Sequence, residues 1–181
     1  MQLLRKAGMV LALLAGVLAC APALQAQLNS NAAAVNLSAV VNSSLTVSAA
    51  PSLVNFALLP NGVASGSSTI TITTSWVLKP PNTVTVYAFF NSAAAALTDG
   101  AGNNIPSTNV LGSPNGGAFT PFTGTSPFSG ASSVTIFSQR VLGFSRQVTR
   151  SDTLDLQINT TGLGLPAGTY TGLLRIQAQA I

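Results

Sequence analysis

The chain has only three acidic residues, Asp99, Asp152 and Asp155, and no histidine. Two carboxylates could share general acid and base roles in glycoside hydrolysis, and an aspartate among asparagine and carbonyl oxygens could bind a hard cation such as Ca²⁺. Asp152 and Asp155 have opposite parity in a regular strand and so point to opposite faces. They do not form a convergent pair. Asp99, in "DGAGNN", has no second carboxylate nearby and no closing Glu, and reads as a turn. Without histidine, Ser-His-Asp and Cys-His arrangements are impossible and the usual proton shuttle near neutral pH is missing. "GAGNN" and "GSPNGG" lack the lysine and the following helix of a phosphate-binding loop. No catalytic, cofactor-binding or metal-ligating residue is assigned, no cofactor is expected, and the chain reads as non-enzymatic.

Charged residues make up 6% of the 181 positions, against 47% hydrophobic. Beyond the first 26 residues the cations are Lys79, Arg140, Arg146, Arg150 and Arg175, so the high isoelectric point of about 10.0 reflects scarce acids more than abundant bases. Nucleic-acid binding needs a clustered basic footprint with interleaved aromatics. Arg140, Arg146 and Arg150 are too few for that, and no nucleic-acid partner is expected. Solubility has to come from Ser, Thr, Asn and Gln.

The opening "MQLLRKAGMVLALLAGVLACAPALQAQ" has a basic start at Arg5-Lys6, an apolar run and small residues near Ala23 and Ala26. That is the pattern of a secretory signal peptide, residues 1–26. Cleavage after Ala26 leaves a chain without cysteine. A cut after Ala23 fits the small-x-small rule, and "VLAC" offers an alternative in which Cys20 is acylated and anchors the protein to lipid. The protein is therefore expected to be secreted or on the cell surface. No apolar run reaches the roughly 20 residues of a spanning helix, so no transmembrane span is expected.

Downstream, residues 27–34 read as a flexible leader and 35–181 as one domain. Val35, Leu37, Ala39 and Val41 alternate with polar partners, and Leu45 and Val47 resume the pattern, as in a half-buried strand. "SLVNFALLPNG" reads as a short strand closed by a Pro-Asn-Gly turn. "STITITTSWVL" places Ile70, Ile72, Thr74, Trp76 and Leu78 on one face, with Trp76 in the core. "NTVTVYAFF" places Val84, Val86, Ala88 and Phe90 together, and the short "KPPN" connection predicts an antiparallel pair with the preceding strand. Residues 97–133 form a long Gly-, Pro- and Ser-rich stretch in which only "NVL" offers a strand. Its Phe119, Phe122 and Phe128 either form an exposed ligand patch or pin the loop over a sheet. "SVTIFSQRVLGF", "DTLDLQINTT" and "GTYTGLLRIQAQA" return to strands, the last with Tyr170, Leu174 and Ile176 on one face. Six to eight short strands with Gly/Pro turns and no helical period indicate an all-β sandwich of immunoglobulin-like type.

The order of "VNLSAVVNSSLTVS", "LVNFALLPNG", "STITITTSW" and the closing "LPAGTYTGLLRIQAQAI" resembles the spore coat protein U domain, a bacterial family that includes subunits of archaic chaperone–usher pili. The resemblance is strongest at the two ends and faint between Ala93 and Ser133. The family's usual cysteines are missing, with Ser43-Ser44 and Thr73 to Ser75 near their positions, and the chain closes on "QAQAI" instead of an aromatic. The resemblance implies a pilin-like sandwich lacking its last strand, filled first by a periplasmic chaperone and then by the N-terminal extension of the next subunit. It implies a donor segment at Leu28, Ala32 and Ala34, extending to Val35 and Leu37, and an acceptor edge at Tyr170, Leu174 and Ile176. The function expected is a structural or adhesive subunit of a cell-surface or pilus-like assembly. The alternative is a monomeric module that binds a surface glycan or protein through its loop aromatics.

Overall fold

The computed structural model describes residues 32–128 and 130–181. The expected signal segment, Cys20 and Leu28 lie outside these residues. The chain divides into two units, Met1–Ala39 and Val40–Ile181. In the first, the described residues 32–39 are exposed and have no regular structure.

The second unit is all-β. Its strands are β1 (Ser44–Ala50), β2 (Val63–Ser65), β3 (Ile70–Val77), β4 (Thr83–Phe89), β5 (Leu97–Thr98), β6 (Asn104–Ile105), β7 (Val110–Pro114), β8 (Thr120–Pro121), β9 (Gly124–Ser126), β10 (Gly130–Arg140), β11 (Gln147–Asn159) and β12 (Arg175–Ala180). One sheet runs β1-β3-β11-β7-β8, with β2 also paired to β11; a second runs β12-β4-β10-β9; β5 and β6 form a small ribbon. Every pairing is antiparallel. The strands outnumber the six to eight expected because residues 97–133 contribute several two- and three-residue strands.

Period-two alternation explains the two layers. In β3, Ile70, Ile72, Thr74 and Trp76 are buried, and in β11 Asp152, Leu154, Leu156 and Ile158 share the buried face. Val84, Val86 and Ala88 of β4 and Val134, Ile136 and Phe137 of β10 face them from the second sheet and join one core. Trp76 and Phe137 meet across the layers with ring centroids 6.3 Å apart. The Trp76 indole N–H donates to the Ser145 carbonyl at 3.0 Å, which satisfies the one polar group of a side chain only 1% exposed.

Three expectations are corrected. β3 and β4 do not pair. Both edges of β3 are taken by β1 and β11 and both edges of β4 by β10 and β12, so the short connection carries the chain from one sheet to the other. The expected first strand begins at Ser44 rather than Val35. Ser44 pairs with Val77, the last residue of β3, and Leu78 then bonds to Arg146, and the described residues 32–43 form no ladder. "SLVNFALLPNG" is not a strand. It forms one bridge, Phe56 to Gly66, while Val54, Phe56 and Leu58 rest half-buried against the core. Gly66 permits this approach, because a Cβ there would lie 2.8 Å from Val54 Cγ1.

A groove beside the two edge strands

The N-terminal edge of the sandwich is β1 and the run that follows it; the C-terminal edge is β12 and the run that leads into it. β1 ends one edge of its sheet and β12 ends one edge of the other. Each therefore has one side without a ladder partner, and the two strands lie near one another. β12 pairs with β4 only from Arg175, opposite Phe89, onward. Earlier residues of that run are held by a single bridge in which Thr98 and Thr171 exchange two 2.9 Å hydrogen bonds. Pro51 starts the matching departure on the other side, straight after β1.

Where the two runs leave their sheets, a groove of about 630 Å³ opens between them. Leu53, Val54, Phe56 and Leu58 form one wall and Tyr170, Leu173, Leu174 and Ile176 the other. Ile70, Phe90, Val110, Leu156 and Ile158, all core residues, lie at its floor. A second hollow of about 420 Å³ shares Leu58, Gly168 and Tyr170 with the first and continues past Leu165 and Asn61. Along both margins the apolar side chains are only partly buried: Val54, Phe56 and Leu58 on one side, Leu165, Tyr170, Leu174 and Ile176 on the other. Leu53 and Leu173 remain 68% and 65% exposed.

The acceptor-edge residues Tyr170, Leu174 and Ile176 thus all line one groove. The Tyr170 hydroxyl donates to the Pro166 carbonyl at 3.0 Å, and partial burial, with the Asp99 carboxylate nearby, raises its pKa above the ordinary phenol value. Gly172 lets this wall close on β5. A Cβ there would collide with the Ala96 carbonyl oxygen and come within 2.9 Å of Leu97 Cγ. Sequence reading missed the opposite wall, from Leu53 to Leu58. Its signal was an alternating apolar run with no partner strand to claim it.

Of the donor-segment residues, Ala32, Ala34, Val35 and Leu37 are all exposed, Val35 at 79% and Leu37 at 92%. They fall on two parities. Ala32 and Ala34 share one face of an extended chain, whereas Val35 and Leu37 share the other with Ala39 and Val41. A strand lays only one such face into a groove, and the larger side chains belong to the second set.

The three phenylalanines do not form one patch. Phe122 is fully buried, with its ring 5.0 Å edge-on from Phe90 and its carbonyl accepting from the Ser107 hydroxyl at 2.8 Å. Phe128 is half-buried, stacked 5.7 Å from Phe89 and 6.0 Å edge-on from Tyr87. Phe119 alone of the three is exposed, at 39%. An aromatic set among turn residues gains more by clamping the loop to the sheets than by facing water. Phe122 and Phe128 take that role.

The acids are committed to structure. Asp99 Oδ1 accepts the Ala101 and Asn103 amides at 2.8 and 3.0 Å, and Oδ2 accepts the Asn103 side-chain amide at 2.5 Å. The Asn103 side-chain bond leads the effects that hold its pKa below the ordinary carboxylate value, with burial working the other way. Asp152 faces the core and Asp155 the opposite side, where it accepts from the Thr69 hydroxyl at 2.5 Å. Among the described residues no group of three or more potential ligands could hold a metal, and no helix is long and apolar enough to cross a membrane. No family model, curated protein or solved structure matches the chain.

Proposed function

We propose that this protein is a secreted, non-enzymatic structural or adhesive subunit of a bacterial cell-surface assembly, polymerising by donation of its N-terminal segment to the groove of the next copy. The observation that carries the reading is the apolar groove between the run that follows β1, residues 51–58, and the run that leads into β12, residues 168–174, where each has left its sheet and half-buried apolar side chains line both walls. An inserted strand would pair with the edge groups and push alternate side chains into the gap. The donor face is Val35, Leu37, Ala39 and Val41. Residues 35–41 extended at about 3.3 Å each span roughly 23 Å, close to the roughly 20 Å of a six-residue strand such as β12. The sandwich is then an immunoglobulin-like domain completed in trans. A periplasmic chaperone would fill the same groove before assembly, consistent with export through residues 1–26. The glycan-binding alternative loses its aromatic patch, because Phe122 and Phe128 are engaged internally.

The test is size-exclusion chromatography of the exported protein, alone and with residues 28–41 deleted, beside Val35→Ser/Leu37→Ser. A ladder of oligomers that collapses to monomer in both variants is expected. A parent that stays monomeric at high concentration, or variants that assemble like the parent, would overturn the proposal.

A further inference from the structure

The end of the sandwich formed by the β10–β11 connection carries a feature that assembly through the groove does not use. Residues 142–145 form a tight turn in which Phe144 is 86% and Leu142 41% exposed. The loop is anchored from within. Ser145 is buried, its hydroxyl accepts the Leu142 amide at 2.8 Å, its own amide donates to the Leu142 carbonyl at 3.0 Å, and its carbonyl accepts from the Trp76 indole. Val141, the residue before, bonds to the Asn82 carbonyl at 2.7 Å and is fully buried. Phe144 is therefore held outward by a fixed base.

Exposed Arg140 and Arg146 flank the loop on either side, and Lys79 stands beside it, because Leu78 donates to the Arg146 carbonyl at 2.8 Å. Three of the five cations beyond residue 26 thus gather at one end. No acidic side chain is left to offset them there, although Ile181 hydrogen-bonds Thr83, the partner of Arg140 on β4, at the same end. Asp152 is paired with Arg150 at 2.7 Å, Asp155 lies eight residues beyond Gln147 along β11, roughly 27 Å away by strand rise, and Asp99 is in the loop beside Thr171. In a chain with 6% charged residues this segregation is a marked departure from the rest of the surface.

We infer that this tip docks on an anionic lipid membrane, with Phe144 and Leu142 entering the interface and Lys79, Arg140 and Arg146 resting on the headgroup phosphates. An apolar knob ringed by cations matches the two attractions of such a surface, apolar burial and the negative surface potential. Neither attraction alone holds a protein firmly; together they act on one rigid loop. Burying an apolar knob has no counterpart on a soluble polyanion, which favours a bilayer over a charged polymer.

The experiment is flotation of the exported protein through a density gradient with vesicles of phosphatidylglycerol and phosphatidylcholine, beside vesicles of phosphatidylcholine alone. Oligomers sink without lipid, so flotation reports binding whether or not the chain polymerises. Binding to the anionic vesicles is expected, weakening as salt rises. Arg140→Gln/Arg146→Gln should weaken it about 25-fold, at about fivefold per cation. Phe144→Ser should weaken it by about tenfold or more, whereas Phe119→Ser should leave it unchanged. Absence of flotation at low salt, equal flotation with neutral vesicles, a Phe144→Ser protein that floats like the parent, or binding to dextran sulfate without binding to vesicles would each overturn the inference.

Discussion

Arg150 closes on Asp152 two residues further along β11, with Nε and Nη2 each 2.7 Å from a carboxylate oxygen and the guanidinium carbon 4.3 Å above the Phe137 ring. Asn115 adds a third bond to the same carboxylate at 2.9 Å. The pair sits where the core meets one end of β11, so that a charged group, Asp152, can lie on the inner face with its side chain only 1% exposed. Donating hydrogen bonds to the Asp152 carboxylate raises the Arg150 pKa further above its already high ordinary value, so the guanidinium stays charged at any working pH.

Removing Arg150 should therefore cost more than a surface ion pair does. Arg150→Ala leaves the Asp152 carboxylate enclosed without its counter-charge; because Arg150 itself is 37% exposed, the expected loss is about 2–3 kcal/mol, below that of a fully enclosed pair. Urea unfolding measures it. The double replacement Arg150→Met/Asp152→Leu should recover most of the loss, and a double variant as unstable as the single one would show that the pair contributes more than mutual neutralisation.

Thr74 points in the other direction. Its hydroxyl is a fully buried side-chain oxygen with no hydrogen-bond partner, on the same face as Ile72 and Trp76. Thr74→Val removes an unsatisfied polar group at nearly constant volume. It should stabilise the domain by about 1 kcal/mol, a rise in Tm of roughly 2–4 °C. An unchanged or lower Tm would mean that the hydroxyl has a partner in solution.

Gly172 should tolerate no side chain. Gly172→Ala drives a methyl group into the Ala96 carbonyl, so either the Thr98–Thr171 bridge opens or the wall moves outward. The expected cost is about 1–3 kcal/mol, with faster amide exchange at Thr98 and Thr171 as its local signature. If only the global stability fell while those two amides stayed protected, the collision would have been relieved elsewhere.

The groove should accept a strand supplied in trans. A synthetic peptide of residues 32–43 is expected to raise the Tm of the leader-deleted protein as its concentration rises, as any ligand of the folded state alone must. Ile176→Arg, which places a charge on the groove wall, should abolish that rise. A peptide with Val35 and Leu37 replaced by serine should also fail.

The Asp99 turn should respond to acid. Its carboxyl pKa is lowered in the folded state, so the contribution of the ionised turn is present above the ordinary value of 3.8 and lost as pH falls through the lower folded value. The Ala101 and Asn103 amide resonances should titrate with a midpoint below 3.8. Asp99→Asn should remove that titration, and a midpoint at or above 3.8 would contradict the hydrogen-bond geometry.

Trp76, Ile72, Val86, Leu156 and Ile158 were legible as core residues because period-two alternation fixes which face of a strand is buried, whatever it pairs with. Tyr170, Leu174 and Ile176 were legible as one face of the closing run for the same reason. Alternation carries no information about partners. Residues 35–41 repeat the alternation of β1, yet β1 begins only at Ser44, opposite the last residue of β3, and Val35 and Leu37 are exposed. "KPPN" has the length of a hairpin loop but carries the chain between sheets, because strands distant in sequence occupy both edges of β3 and β4. Nor did spacing show that Phe122 would be buried and Phe119 exposed, a choice made by which ring meets Phe90. The sequence by itself determined an acid-poor, histidine-free, all-β chain, since those are properties of residue type and local period. Only the tertiary structure decided that residues 51–58 and 168–174 leave their sheets side by side with a groove between them, because a groove is made by what two distant segments fail to cover.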